Sequence, residues 1–305
     1  MQTISIHSSL DATLQQLQPL LDNQSPLTYQ CPWVILGTDG REAYNPFTQH
    51  TYQGFNQIRL TYNRYLVEFP QNAWATFQQI KQAGGSVKKG SKSQKITFYT
   101  IRFKDQKGKR YTAQQVEQMS VQQYNALGIY SYKCLKTFNV FNLSQTTGLA
   151  ENYYTFIEPV LQTIDTISDI EQFVQNLNLN IQHKQTSNAV YNNNTDTITL
   201  PNKEQFRTTL GYYDTLLHEI GHALGSKSRL NRNQSGTFGD ETYAQEELAA
   251  ELFAATMLNY YGCNESINNS AAYMRAWLSA LCIEDRKLDT AIEAVQAMMQ
   301  YCGLE

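Results

Sequence analysis

The residues of this chain best suited to chemistry are His218, Glu219 and His222, set in Leu216-Leu217-His218-Glu219-Ile220-Gly221-His222-Ala223-Leu224. Two imidazoles four positions apart on a helix project from one face and can share an ion, and the glutamate after the first is placed to carry a proton. With five His and sixteen Glu in 305 residues, independent placement would give HExxH in about one chain in 250, which weighs against accident. Leu216, Leu217, Ile220, Ala223 and Leu224 surround the motif with apolar side chains, which predicts a buried helix, and Gly225 is the expected stop.

A catalytic ion needs a third protein ligand and an open position. Gly239-Asp240 reads as an N-cap for a helix from about Ala244 through Leu258, and Glu246, Glu247 and Glu251 lie on it. Glu247 is the expected ligand, with Glu246 as the alternative. Glu251 is then expected to accept a hydrogen bond from a ligating imidazole and fix its tautomer. Small Ala249, Ala250, Ala254 and Ala255 suit close helix packing beside these acids. Zinc is the expected ion, with manganese also open; zinc lowers the pKa of bound water to about 7 and polarises a carbonyl. Glu219 is the expected catalytic residue, taking the water's proton and returning it to a leaving amine. Asn188–Pro201 reads as a hairpin, with strands around Ala189–Tyr191 and Thr197–Leu200, whose edge could hold an extended peptide by strand addition. Tyr213 and Tyr243 are weaker candidates for oxyanion stabilisation. His7, His50 and His183 are isolated and carry no ligand pattern.

The elements around this site divide by charge. Residues 1–150 hold 15 Lys and Arg against 7 Asp and Glu, and residues 151–305 hold 9 against 20. A basic half joined to an acidic half suggests two domains, 1–150 and 151–305, with different partners. Between Lys81 and Arg110 only Asp105 opposes the positive side chains. There Lys95–Lys104 alternates as a strand, with Thr97, Tyr99, Ile101 and Phe103 on one face and Ile96, Phe98, Thr100, Arg102 and Lys104 on the other. Asp105-Gln106-Lys107-Gly108 marks a turn, so a basic β-hairpin is expected. Trp74, Phe77 and Ile80 sit at helical spacing ahead of Gly84, which predicts a helix over 73–83. The basic surface reads either as a solvated hairpin or as a nucleic-acid face on which Lys and Arg meet phosphates and aromatics stack on bases. The candidates for DNA contact are Lys88, Lys89, Lys92, Lys95, Arg102, Lys104, Tyr52 and Tyr99. Stacking with phosphate contacts suits single strands better than duplex.

Composition bounds the rest. Hydrophobic residues make up 41% and charged residues 17%, a globular balance with enough length for a core. No apolar run approaches the roughly 20 residues of a membrane span, so no membrane partner is expected. The first Lys or Arg is Arg41, which disfavours a secretory signal. Five widely spaced cysteines without a CxxC pair argue against a disulfide framework and against a cysteine zinc site. A reduced, cytoplasmic protein is expected. Cys263, Cys282 and Cys302 fall in or near two C-terminal helices, Ala271–Leu281 and Leu288–Cys302, as small buried apolar groups.

Taken in order, Asn45–Asn56, Trp74–Gly90, Phe138–Gly148, Tyr212–His222, Arg229–Arg232 and Phe238–Glu251 resemble the ArdC-type antirestriction proteins of plasmids and other mobile elements. HExxH occurs in many zincins; the ordered set is the specific feature. The resemblance implies an α+β protein of two domains, an N-terminal single-stranded-DNA-binding domain and a C-terminal zincin-like metallopeptidase domain. It further implies a role in protecting incoming DNA from host restriction, a protein or peptide substrate of unknown identity, and metal positions at His218, His222 and the Glu246–Glu251 segment. Ala223 departs from the family, where an aromatic is frequent, and is expected to reshape the pocket wall. Two other readings stand beside this one: a strand-binding protein with a structural or inactive metal site, and a peptidase whose basic half binds an acidic protein.

Overall fold

The computed structural model describes residues 6–22, 27–34, 41–155, 161–263, 265–280 and 286–304. It separates into two compact units, Met1–Ala73 with Ala150–Glu305, and Trp74–Leu149. Residues 1–73 therefore fold with the second half of the chain, and the compact boundaries differ from a single division at 150. Charge follows the compact units more sharply than the halves of the sequence. Residues 74–149 hold 12 Lys and Arg against Asp105 and Glu117 alone, leaving 12 against 25 elsewhere.

The larger unit begins with α1 (Ile6–Asp22) and α2 (Gly54–Val67). Between them Tyr52 forms a backbone hydrogen bond to Ala43, and its side chain is only 4% exposed. This corrects the expectation that Tyr52 stacks on bases, because both ring faces are covered by protein.

The smaller unit is built on a long ribbon. β1 (Trp74–Thr76), α3 (Phe77–Gln82), β2 (Ser86–Val87), β3 (Gln94–Lys104) and β4 (Arg110–Tyr111) are followed by α4 (Ala113–Glu117), α5 (Val121–Ala126), β5 (Tyr130–Asn142) and β6 (Thr146–Thr147). The helix expected over 73–83 starts four residues later. Trp74–Thr76 instead pairs with Asn142–Val140, and Thr76 caps α3 through a reciprocal box with Gln79. Burial of Trp74 in the sheet outweighs its helical spacing. The hairpin at Asp105–Gly108 forms, but only Phe103 and Lys104 pair across it. The main partner of β3 is β5, with eleven residues in register from Gln94↔Val140 to Lys104↔Tyr130. Ile96 and Val140 are buried, whereas Phe98 and Phe138 further along are about 40% exposed.

The rest of the larger unit holds α6 (Ser168–Asn176), β7 (Asn180–Lys184), β8 (Val190–Asn192), β9 (Thr197–Pro201), α7 (Thr209–Leu224), α8 (Glu241–Tyr260), α9 (Ile267–Ala280) and α10 (Arg286–Tyr301). β9 pairs in parallel with β7 and antiparallel with β8, which leaves β8 on an edge. Asp240 caps α8 by accepting the Tyr243 N–H at 2.8 Å. α8 is buried on nearly every face from Ala244 to Leu258 and touches α1, α7, α9 and α10. A helix that is apolar all round belongs at the centre of a fold, so the acids it carries are forced inside with it. Among the described residues, no helix is long and apolar enough to cross a membrane. Cys282 lies outside the described residues; among the described residues Cys31, Cys134, Cys263 and Cys302 form no disulfide.

Candidate metal centre and basic ribbon

α7 and α8 approach closely because two small residues face each other. A Cβ on Gly221 would stand 3.0 Å from the Ala250 Cα and 3.3 Å from its Cβ. That approach sets the histidines of α7 against the glutamates of α8. Gly221→Val is expected to cost about 1–3 kcal/mol through overpacking and to lower metal affinity along with the melting temperature. A variant with unchanged melting and metal content would contradict this account of the contact. Gly225 serves a related purpose: its φ is −71°, so it ends α7 without a left-handed turn. A Cβ there would stand 2.7 Å from the Arg232 guanidinium.

The imidazoles meet Nε2 to Nε2 at 3.1 Å. Glu247 Oε2 lies 3.4 Å from the His218 Nε2, and Oε1 lies 3.8 Å from the His222 Nε2. One donor atom from each of the three falls within 4.8 Å of the others. Donors held about 2.0–2.2 Å from a tetrahedral ion stand roughly 3.4 Å apart, so this set fits a divalent cation. The outer nitrogens are also engaged. Glu251 accepts from His218 Nδ1 at 2.8 Å, and Glu246 faces His222 Nδ1 at 3.1 Å. Glu246 is thus turned away from the ligand position proposed for it as the alternative. Arg232 reaches it at 2.7 and 2.9 Å, and Gln234 at 2.9 Å.

Other residues of this site escape a reading of the sequence. The Tyr273 hydroxyl donates to Glu247 Oε2 at 2.6 Å, and Tyr243 hydrogen-bonds the same carboxylate. Asp214, one turn before His218, is buried, and its Oδ1 has no partner among the described residues. Tyr273 carries no spacing signal, since α9 is brought to the site only by packing, and Asp214 belongs to no ligand pattern on α7. Of the two tyrosines singled out, Tyr243 lines the cleft, but Tyr213 is buried in the core, where it donates to Glu171. His183 bonds the Tyr212 hydroxyl away from the site, and Ala223 is buried. The His7 side chain lies outside the described residues.

Glu219 is 7% exposed and lines a cleft of about 540 Å³ together with His218, His222 and Glu247. Burial raises its pKa, against the neighbouring imidazoles and a backbone N–H from Tyr191 that lower it. Burial also opposes ionisation of the others, but here the partners prevail. Hydrogen bonds and charge from Glu247 and Glu251 raise His218, and those of Glu246 and Glu247 raise His222. The bond from His218 and the charges of both imidazoles hold Glu247 down to about 2. The raised imidazoles stabilise the metal-free fold below the ordinary histidine value of about 6.5, and this contribution is lost as pH climbs through their folded values. The depressed Glu247 contributes above the ordinary carboxylate value of 4.5, and its contribution is lost as pH falls toward about 2. Metal-free protein is therefore expected to melt at falling temperature as pH rises above neutrality, while metal affinity rises because ligation displaces protons. Melting curves from pH 5 to 9, with and without chelator, check this; metal-free stability that climbs throughout would contradict it.

The second candidate surface is the ribbon. Lys88, Lys89, Lys92 and Lys95 are exposed, and Lys88 Nζ donates to the Ser144 carbonyl at 2.9 Å. Arg102 and Lys104 share a face with Phe98, and cross-strand pairing adds Tyr130, Tyr132, Lys136 and Phe138 to it. Lys104 lies over the rings of Tyr130 and Tyr132 at 5.3 and 5.1 Å. Tyr99 is in β3 in register with Leu135; its side chain lies outside the described residues.

A helix bearing two imidazoles four residues apart, packed on a helix bearing a third donor, is the arrangement of a zincin, and residues 168–294 match the zincin-like metallopeptidase family. Residues 14–141 match the N-terminal domain of anti-restriction factor ArdC. The chain thus matches both models in order, an ArdC N-terminal domain followed by a zincin-like metallopeptidase domain, and is of ArdC type. It is 28% identical over 275 residues to the uncharacterized protein y4eC of Sinorhizobium fredii (strain NBRC 101917 / NGR234), covering 90% of this chain and 84% of that one. It is 30% identical over 253 residues to DNA primase TraC of Escherichia coli, covering 83% of this chain but only 23% of the primase. Crystal structures of the antirestriction ArdC protein from plasmid R388 align over 97–98% of this chain and 97% of theirs. The metal-free structure is 24% identical with a TM-score of 0.39, and the Mn(II)-bound structure 23% identical with a TM-score of 0.40.

Proposed function

We propose that the protein binds single-stranded DNA through the basic ribbon and carries a divalent-metal-dependent peptidase site in the larger unit. In this reading it acts in the cytoplasm and protects incoming mobile DNA from host restriction. The observation that carries the peptidase half is the convergence of His218 Nε2, His222 Nε2 and Glu247 beside buried Glu219 on an open cleft. A structural zinc is closed by four protein ligands; three that face a cleft favour a site that admits substrate. A bound zinc or manganese ion supplies Lewis acidity to water and to a peptide carbonyl. Glu219 takes the proton of the attacking water and delivers it to the leaving amine. Glu251 and Glu246 fix the imidazoles from behind, and edge strand β8 aligns an extended peptide along the cleft.

The DNA half rests on the net charge of residues 74–149 and on a face where cations alternate with aromatic rings. The likeness to part of a DNA primase accords with work on DNA. Replacing Lys88, Lys89 and Lys92 by Ala is expected to lower the slope of log K against log salt by about 2, at roughly 0.7 per phosphate contact on single strands. Phe98→Ala or Phe138→Ala is expected to cost about 1–3 kcal/mol for each stacked base while leaving that slope unchanged. Titration of a labelled oligonucleotide before and after chelation tests the whole reading: strand binding persists after metal loss, and metal analysis finds one ion per chain before it. Absence of strand binding at low salt would favour an acidic protein as partner of the ribbon.

A further inference from the structure

Part of the apolar wall of the cleft comes from outside the zincin-matched residues. α2 presents Ile58, Tyr62 and Leu66, at i, i+4 and i+8, along one side, and the segment before it adds Tyr29 and Trp33. The three aromatic residues are each fixed by a contact. Tyr62 stacks on Phe238 at 4.4 Å and 2° between planes, and Tyr29 packs on Tyr273 at 5.0 Å. Trp33 donates to the Ser187 carbonyl at 3.0 Å, and its backbone bridges to Phe206. Val190 of edge strand β8 also lines the cleft. Leu66 is 60% exposed and Val190 48% exposed, so the cleft keeps apolar side chains open to water beside the metal-ligand triad. Exposed apolar surface grouped at a cleft marks a binding site.

We propose that this cleft takes a large apolar side chain, Phe or Leu in type, from a peptide lying extended along β8, and that Tyr62 and Leu66 set the preference. The inference rests on the peptidase reading of the same site and names its substrate class. The cleft also contains Asp214, Glu219, Glu246, Glu247 and Glu251, so an acidic side chain is repelled where an apolar one is drawn in. Tyr29, Trp33, Ile58, Tyr62 and Leu66, all before residue 74, form one side of this wall. The segment that joins the zincin-like residues in the larger unit is therefore a working part of the substrate site.

The test uses the zinc-loaded full chain carrying Glu219→Gln, so that peptide is bound and not cut. Fluorescein-labelled nonapeptides of Gly, Ser and Thr, differing only in a central Phe, Leu, Gly or Glu, are titrated by anisotropy. The Phe and Leu peptides are expected to bind at least about 10-fold more tightly than the Gly peptide, and the Glu peptide more weakly than Gly. Adding Leu66→Ser or Tyr62→Ala is expected to narrow the Phe-to-Gly ratio to about threefold or less. Leu66 is solvent-facing, so that variant keeps its melting temperature and separates loss of preference from loss of fold. Equal binding of the Phe and Gly peptides, no binding of any peptide, or a ratio unmoved by both variants would overturn the inference. Cleavage of peptides by the unaltered chain without a Phe or Leu preference would sink this inference and leave the peptidase reading intact. Preferential binding without any cleavage would do the reverse.

Discussion

Glu219→Gln is expected to reduce peptide hydrolysis by about 10²–10⁴-fold, the usual contribution of a positioned acid–base group, while metal content and strand binding stay at the level of the unaltered chain. The substitution keeps the shape of the side chain and an oxygen to accept the Tyr191 N–H. It removes only the capacity to take a proton. Burial holds the Glu219 carboxyl above its ordinary range, so its proton affinity is closer to that needed near neutrality than that of an exposed glutamate. A quenched-fluorescence peptide assay and metal analysis of the same preparation measure both halves of the expectation. Full hydrolysis by the variant would remove Glu219 from the reaction. Undiminished protection of incoming DNA by a hydrolysis-dead variant would instead favour strand occupancy as the protective act.

Glu247→Ala is expected to lower metal affinity by more than about 100-fold, beyond the 10–100-fold range that loss of an outer-shell partner produces. Glu247 is the third donor of the proposed site, and it also accepts hydroxyl hydrogen bonds from Tyr273 and Tyr243. Glu251→Gln and Glu246→Gln act through the far nitrogens of the imidazoles, so each is expected to stay within that range. Competition titration with a metal-binding dye ranks the three. If Glu247→Ala keeps its ion and Glu246→Gln loses it, the third donor is Glu246 and the geometry of α8 has been misassigned.

Local patterns made much of this molecule legible. The HExxH helix, its apolar surroundings, the Asp240 cap and the two C-terminal helices each follow from neighbours within a few residues, where spacing translates directly into a shared face. The same holds for the alternation of Lys95–Lys104. The failures share a cause. Trp74 reads as helical because the pairing that makes it a strand is with Asn142, far along the chain. Tyr52 reads as a free ring because nothing nearby announces that it is buried. Tyr130–Asn142 completes the aromatic and cationic face of the ribbon through a register with β3 that no local pattern specifies.

The sequence by itself determined which residues are suited to the chemistry: two imidazoles at helical spacing, a glutamate between them, acids on a following helix, and a run of lysines on an alternating strand. Only the tertiary structure decided how those acids divide their work. The choice among Glu246, Glu247 and Glu251 depends on the rotation of α8 against α7, which is set by Gly221 seated on Ala250. It also decided that α2 and the segment before it wall the cleft, and that Tyr273 reaches Glu247 from α9. Side-chain spacing along a helix is fixed by covalent geometry and the hydrogen-bonded backbone, whereas the meeting of distant segments is fixed by the packing of a shared core.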